Sequence, residues 1–394
     1  MKHIVFVAPA QLPIPVTKGG AIETLVQHLL QQNEIHRKVK LTVITPFDEK
    51  AYQLSLQYTA TTFIWYRLNG FLEKIQNRLN RHLICPIKKE PFYSSWQGFV
   101  IKILSHLTFD EVIIENNIDF LWILQRHIDS NKIICHLHNR IVLSDSALDM
   151  CSRVLCVSEY IRREVIGQTH YDPAKLIVLK NCIDIKNFTP SNQLRASMRQ
   201  KLGLAEHDIA ICFVGRIVEL KGVRHLIEAY NLIDKTNTKL FIVGSLGGNF
   251  GESTTGVSDF VEELFEYVQP FKDKVVFTGF IPNSEVHELL NAMDIAANPS
   301  LYLEAALVSN VEYQAMGLPV ITTNKGGIPE YINQNSGYLL EANDELVNRI
   351  KDALEALISN PSLRKSMSIA ARANALLFDR SRYYEEFLAI INSL

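Results

Sequence analysis

Cysteine is scarce in this 394-residue sequence, and its spacing forms no pair. Cys85, Cys135, Cys151, Cys156, Cys182 and Cys212 contain no C-x-x-C couple, and several sit inside apolar runs. They read as buried, reduced thiols of a cytosolic protein, not as a disulfide framework. An excess of either charge is also missing. Forty Lys and Arg stand against 42 Asp and Glu, a formal net charge of −2, which argues against a nucleic-acid partner. No window holds the roughly 18 apolar residues that cross a bilayer. The opening MKHIVFVAPA carries an apolar run too short for a signal peptide's core and flanks, and reads as a first buried strand. The expectation is a cytoplasmic protein that is soluble or at most peripheral on a membrane face. Low-complexity segments and internal repeats are lacking too. With 47% hydrophobic and 21% charged residues, the composition is globular, and the length suits two domains.

Short Val/Ile/Leu-rich runs alternate with amphipathic segments from end to end. Seven strands are expected in the first half, from His3–Pro9 to Leu176–Leu179, and six in the second, from Asp208–Gly215 to Gly337–Leu340. Near-continuous apolar strands, each followed by a helix, predict α/β architecture with parallel sheets covered on both faces. The polar, Pro-containing stretch Asn187–Arg195 reads as the linker, giving domains 1–190 and 191–377. Two doubly wound, Rossmann-like domains then face a central cleft at their strand C-terminal edges, where such sheets bind ligands. A last amphipathic helix within 378–394 has two docking options, the second domain or a return to the first.

Four groups of residues stand at those edges. Gly19-Gly20 precedes a helix and lets backbone N–H groups approach an anion; alone, it reads equally as a helix-entry turn. Arg216 and Lys221 flank glycines after the first strand of the second half, a planar fork and a mobile point charge suited to a diphosphate. Glu304 and Glu312 lie eight positions apart, ahead of Gly326-Gly327 and Glu330. They suit a ligand rich in hydroxyls, although acids near a helix start also complement its dipole. His136 and His138 end the strand KIICHLH on one face. With no third ligand at hand, the pair is not expected to hold a metal.

The set Gly19-Gly20, GR-x4-K, Glu304-x7-Glu312 and GGIPE, in order along the whole chain, resembles the retaining GT-B glycosyltransferases, specifically glycosyltransferase family 4 of the group 1 type. CVSEYIRREV and NCIDIKNFTP match that family's usual pattern between its domains, with Cys182 where glycine is common. The resemblance implies transfer of a sugar from a nucleotide-diphosphate-sugar donor to a saccharide or lipid-linked saccharide hydroxyl, in bacterial surface polysaccharide or glycan synthesis. It implies an acceptor-binding first domain and a donor-binding second. Arg216 and Lys221 would bind the pyrophosphate, Glu312 the ribose and Glu304 the donor sugar. Backbone N–H groups near Leu307 and Val308 would touch phosphate, the base would lie along Gly279, Phe280 and Ile281, and His138 would stand near the sugar. No metal or other cofactor is implied, and the sequence contains no D-x-D. The chain departs from the family at Ala305-Ala306-Leu307, where Pro-Phe-Gly is frequent. A catalytically silent, glycosyltransferase-like partner subunit is the rival reading.

One stretch belongs to none of these groups. Residues 65–89 place Arg67, Lys74, Arg78, Arg81, Lys88 and Lys89 against the single acid Glu73, with Leu68, Leu72, Ile75 and Leu79 at helical spacing. Two readings fit equally: adsorption to an anionic membrane surface, or a solvated helix packed on its own domain.

Overall fold

A computed structural model describes all residues except 68–69, 89–91, 144, 248–255 and 394. Leu68 and Lys89 of the basic stretch therefore lie outside the described residues. The chain forms two compact units, Met1–Lys180 with Tyr384–Leu394, and Asn181–Tyr383.

The first unit is built on a seven-stranded sheet. Its strands are β1 (His3–Val7), β2 (Lys40–Pro46), β3 (Thr61–Tyr66), β4 (Glu111–Glu115), β5 (Ile133–Leu137), β6 (Arg153–Cys156) and β7 (Leu176–Val178). They run parallel in the order β3-β2-β1-β4-β5-β6-β7. Residues of β1, β4 and β5 are buried throughout, which is why their interiors are mainly Val, Ile and Leu, with the polar residues His3, Glu111, Glu115 and His136 at or near the strand ends.

The second unit carries a six-stranded sheet of β8 (Ile209–Val214), β9 (Thr238–Val243), β10 (Val275–Gly279), β11 (Ile295–Asn298), β12 (Val320–Thr323) and β13 (Gly337–Leu340). All its pairs are parallel, in the order β10-β9-β8-β11-β12-β13. The two-residue period of a strand sorts its side chains into two cores. Ala210 and Cys212 pack with Phe241, Tyr313 and Tyr331 on one face. Ile211 and Phe213 pack with Tyr230, Leu240 and Leu354 on the other. All thirteen expected strands are present, and the six cysteines are buried and unjoined.

The division falls at Lys180/Asn181, ahead of the expected linker. Part of Asn187–Arg195 is instead helical: Ser191 caps the helix Asn192–Lys201, and Arg195 binds Asp294 at 2.6 Å. The final helix, Arg380–Asn392, takes the second of its two options, its residues from Tyr384 onward joining the first unit. There Phe387 packs on Phe6, Tyr384 donates to Asn33 Oδ1 at 2.7 Å, and Lys2 Nζ reaches the Ile391 carbonyl at 2.7 Å.

Both strand orders reverse direction once, between β1 and β4 in the first unit and between β8 and β11 in the second. At such a point adjacent strands send their following loops to opposite faces, which opens a crevice at the sheet's C-terminal edge.

Candidate functional site

In the second unit the loops leaving β8 and β11 are stitched together at that crevice. Leu301 and Tyr302 N–H groups donate to the Leu220 carbonyl at 2.9 and 3.2 Å. Lys221 Nζ meets Glu304 Oε1 at 2.6 Å, and Ser300 Oγ donates to the same oxygen at 2.6 Å. Ser300 is fully buried and Glu304 nearly so, which fixes the carboxylate's direction. The Glu304 backbone is clamped as well. Its carbonyl accepts from Gly327 N–H at 2.7 Å, and Gly326, at φ +57°, passes so close that a Cβ would stand 2.3 Å from that oxygen. Only glycine fits there. The GG of GGIPE therefore holds Glu304 in place. An ammonium has three donors, so Lys221 can keep this carboxylate and still bind a phosphate oxygen. Arg216 is exposed on the same loop.

Glu312 lies in the helix Val308–Ala315, whose Tyr313 accepts from the Val214 N–H at 2.6 Å and so ties the helix to the end of β8. Burial pushes the Glu312 carboxyl up to about 7, against a lowering hydrogen bond from Asn283 Nδ2 at 3.3 Å. Asn283 opens the helix that follows Phe280 and Ile281, both half-buried at the end of β10. Leu307 turns its side chain into the core, leaving the backbone as what residues 307 and 308 offer a ligand at the uncapped start of the helix.

The first unit gathers a second set at its own crevice. Gly19 and Gly20 take φ +81° and +111° immediately before the helix Ala21–His36. A Cβ on Gly20 would lie 2.1 Å from Glu23 Oε2. Glu23 is buried, and that burial pushes its carboxyl up to about 7, although its own backbone N–H favours the charge and Glu115 opposes it. The anion-binding position at this helix start is thus partly taken by a side chain of the chain itself.

His138 Nε2 lies 2.6 Å from Glu115 Oε2, and His136 Nδ1 lies 3.1 Å from the same oxygen. The expectation that no third ligand stands near the histidine pair is corrected here: the ligand atoms of Glu115, His136 and His138 lie within 4.8 Å of one another. The separations are those of hydrogen bonds, one carboxylate oxygen serving two imidazoles. Burial works to raise the Glu115 carboxyl, but attraction and hydrogen bonding from His136, then His138, bring it down to about 2. Burial, with His136 beside it, lowers His138 to about 4. His138 is therefore neutral at pH 7, donating through Nε2 to Glu115 and leaving Nδ1 as an acceptor.

The sequence reading missed Glu115, Glu23, Ser300 and Asn283. An acid closing the buried run EVIIE was the available signal for the first; the other three carried none.

Residues 195–374 match the family model described as glycosyl transferases group 1. This stretch contains Arg216, Lys221, Glu304 and Glu312. That stretch, under half of the chain, is similar to the group 1 glycosyl transferases. The match supports glycosyl transfer as the class of reaction. Spore coat protein SA of Bacillus subtilis is 24% identical over 404 residues, covering 98% of each chain. The Anabaena protein HepE, crystallised with UDP and glucose, superposes with a TM-score of 0.73 at 20% identity over 100% of both chains. A glycosyltransferase of Rickettsia africae gives 0.77 at 18% identity, over 99% of this chain and 97% of the other. These likenesses show the fold, which is GT-B.

Proposed function

We propose that the protein transfers a hexose or related sugar, with retention of configuration and without a metal, from a nucleoside-diphosphate sugar to a hydroxyl of a saccharide or lipid-linked saccharide. The observation that carries this reading is the Lys221–Glu304 pair, seated with Ser300 at the reversal point of the second sheet. A cation for a diphosphate and an acid for sugar hydroxyls are held there within one hydrogen bond of each other. The C1–O bond to the diphosphate breaks and a bond from C1 to the acceptor oxygen forms on the same face. The acceptor's proton passes to the departing phosphate. Arg216 and Lys221 stabilise charge that grows on the leaving group, so their effect falls on the transition state. Glu312 takes the ribose, the backbone of Leu307 and Val308 takes phosphate, and Phe280 and Ile281 flank the base. His138 and the Gly19-Gly20 loop of the first unit, the acceptor-binding one, serve the sugar and phosphate. Synthesis of a bacterial surface glycan is the setting that suits such a donor and acceptor. A lipid-linked acceptor puts the enzyme at the inner face of the cell membrane. No helix among the described residues is long and apolar enough to cross it.

A thermal-shift panel of UDP, GDP, ADP and dTDP tests the reading, since a ligand bound only by the native state raises apparent stability. One nucleotide is expected to raise Tm. Its sugar is then expected to be hydrolysed or transferred, with the activity lost in Arg216→Ala and Glu304→Ala. Failure of all four, or binding with no turnover of any sugar nucleotide, would sink the transferase reading; the latter would favour the silent subunit.

Glu312 gives the reading a pH signature. A carboxyl raised from 4.5 to about 7 favours the protonated form, so its contribution to stability is complete below about 4.5 and is lost as pH rises through about 7. Ribose hydroxyls donate to the carboxylate and favour the opposite form. The KM for donor is therefore expected to rise as pH falls through about 7, and the nucleotide-induced gain in Tm to shrink with it. Glu312→Gln is expected to flatten both profiles; an unaltered profile in that variant removes Glu312 from the ribose.

A further inference from the structure

The helical run from Gly70 to Lys88 turns its apolar face away from its own domain. It consists of an α-helix (Gly70–Leu79), a π-helical turn (Asn80–Ile84) and a short α-helix (Cys85–Lys88). The contacts that hold it are mostly polar and lie on one side. Asn77 Oδ1 accepts from the Ser95 N–H at 2.7 Å, Asn80 Nδ2 donates to the Tyr93 carbonyl at 3.2 Å, and among the described residues of the run only Asn80 and Cys85 are buried. The other side presents Phe71, Leu72, Ile75, Leu79, Leu83 and Ile87 to solvent, with Phe71 73% and Ile87 72% exposed. At about 100° per residue the first four share roughly a third of the helix circumference. Had the run been packed on its domain through its apolar residues, these are the ones that would be covered.

Lys74, Arg78, Arg81 and His82 are exposed beside this stripe. Lys74 and Arg78 form no ion pair among the described residues. The one acid, Glu73, faces inward, 3.5 Å from Ser95 Oγ. The chain as a whole is slightly acidic, so this cationic strip is local. An apolar stripe edged by unpaired cations fits a two-phase boundary whose outer layer is negative.

We propose that residues 70–88 lie in the headgroup layer of an anionic phospholipid membrane. Phe71, Ile75, Leu79 and Ile87 enter the acyl boundary while Lys74, Arg78 and Arg81 hold lipid phosphates. The proposal does not depend on the transferase reading, because vesicles free of any glycan acceptor test it.

The full-length protein is sedimented with vesicles of phosphatidylcholine alone and of phosphatidylcholine mixed with phosphatidylglycerol. Binding to the mixed vesicles only, and its weakening by salt, is the expected result. Lys74→Gln with Arg78→Gln is expected to lower partitioning about thirtyfold, the joint effect of two cations near the surface. Phe71→Ser with Ile87→Ser is expected to abolish binding with Tm unchanged, because both side chains are exposed. Equal binding to neutral vesicles, or binding indifferent to both double variants, overturns the proposal. So does a dimer dispersed by Phe71→Ser in a protein that binds no vesicle, which would assign the stripe to a second copy of the chain.

Discussion

Lys221→Ala is expected to lower kcat by about 10²- to 10³-fold, equivalent to about 2.7–4 kcal/mol of transition-state stabilisation. The ammonium offsets charge that is small on the bound donor and large on the departing diphosphate, so kcat falls more than KM rises. A second effect accompanies the first. Glu304 is only 8% exposed and loses its partner, which costs on the order of 2–3 kcal/mol, less than for a fully buried pair. The double variant Lys221→Ala/Glu304→Gln separates the two. It removes the stranded charge, so its Tm is expected to recover while kcat stays low. Recovery of activity along with stability would mean that Lys221 merely neutralises Glu304. Loss of neither would remove the pair from the site.

Gly326→Ala is expected to destabilise the second unit by about 2–5 kcal/mol. Left-handed backbone costs an L-residue about 1–2 kcal/mol, and forcing an atom into a filled space adds about 1–3. Here the added methyl meets backbone on one side, 2.3 Å from the Glu304 carbonyl oxygen and 2.8 Å from its nitrogen, which no rotamer change relieves. At about 2–4 °C per kcal/mol for a unit of this size, the drop in Tm is roughly 4–20 °C. Gly203→Ala is the control. That glycine has a similar φ of +62° with no atom within 4 Å of a built Cβ, so only the backbone cost remains. Equal losses from the two substitutions would show that the contact with Glu304 is not tight. Protein that survives with Gly326→Ala carries a displaced Glu304, and its KM for the donor is expected to rise even where folding is complete.

The strands were readable because a parallel strand buried on both faces needs a near-continuous apolar run, and the VII of EVIIE, the IIC of KIICHL and IAICFV answer to that. The division of the chain was not. Asn187–Arg195 is polar and holds Pro190, as a linker does, yet Ser191 is the cap of a helix and Arg195 a ligand of Asp294. A capping serine and a linker serine look alike without the helix they begin. Glu304, Glu312, Arg216 and Lys221 could be singled out because each sits in a spaced motif. Their pairing could not, since Lys221 meets Glu304 across 83 positions. Glu115 escaped for a related reason. Its partner His138 lies 23 residues on, and only the parallel pairing of β4 with β5 brings the two strand ends side by side.

The return of Tyr384–Leu394 to the first unit bears on how the chain is made. Domains generally fold as units while synthesis proceeds from the amino terminus. Here the unit begun first is completed only after the second: Phe6 waits for Phe387, and Asn33 for Tyr384, until those residues have been made. The Asn181–Tyr383 unit has all of its strands well before then. Nascent chains stalled just short of Tyr384 would thus carry a finished second unit and an unfinished first one. The helix from Tyr384 onward acts as the latch on a unit translated long before it.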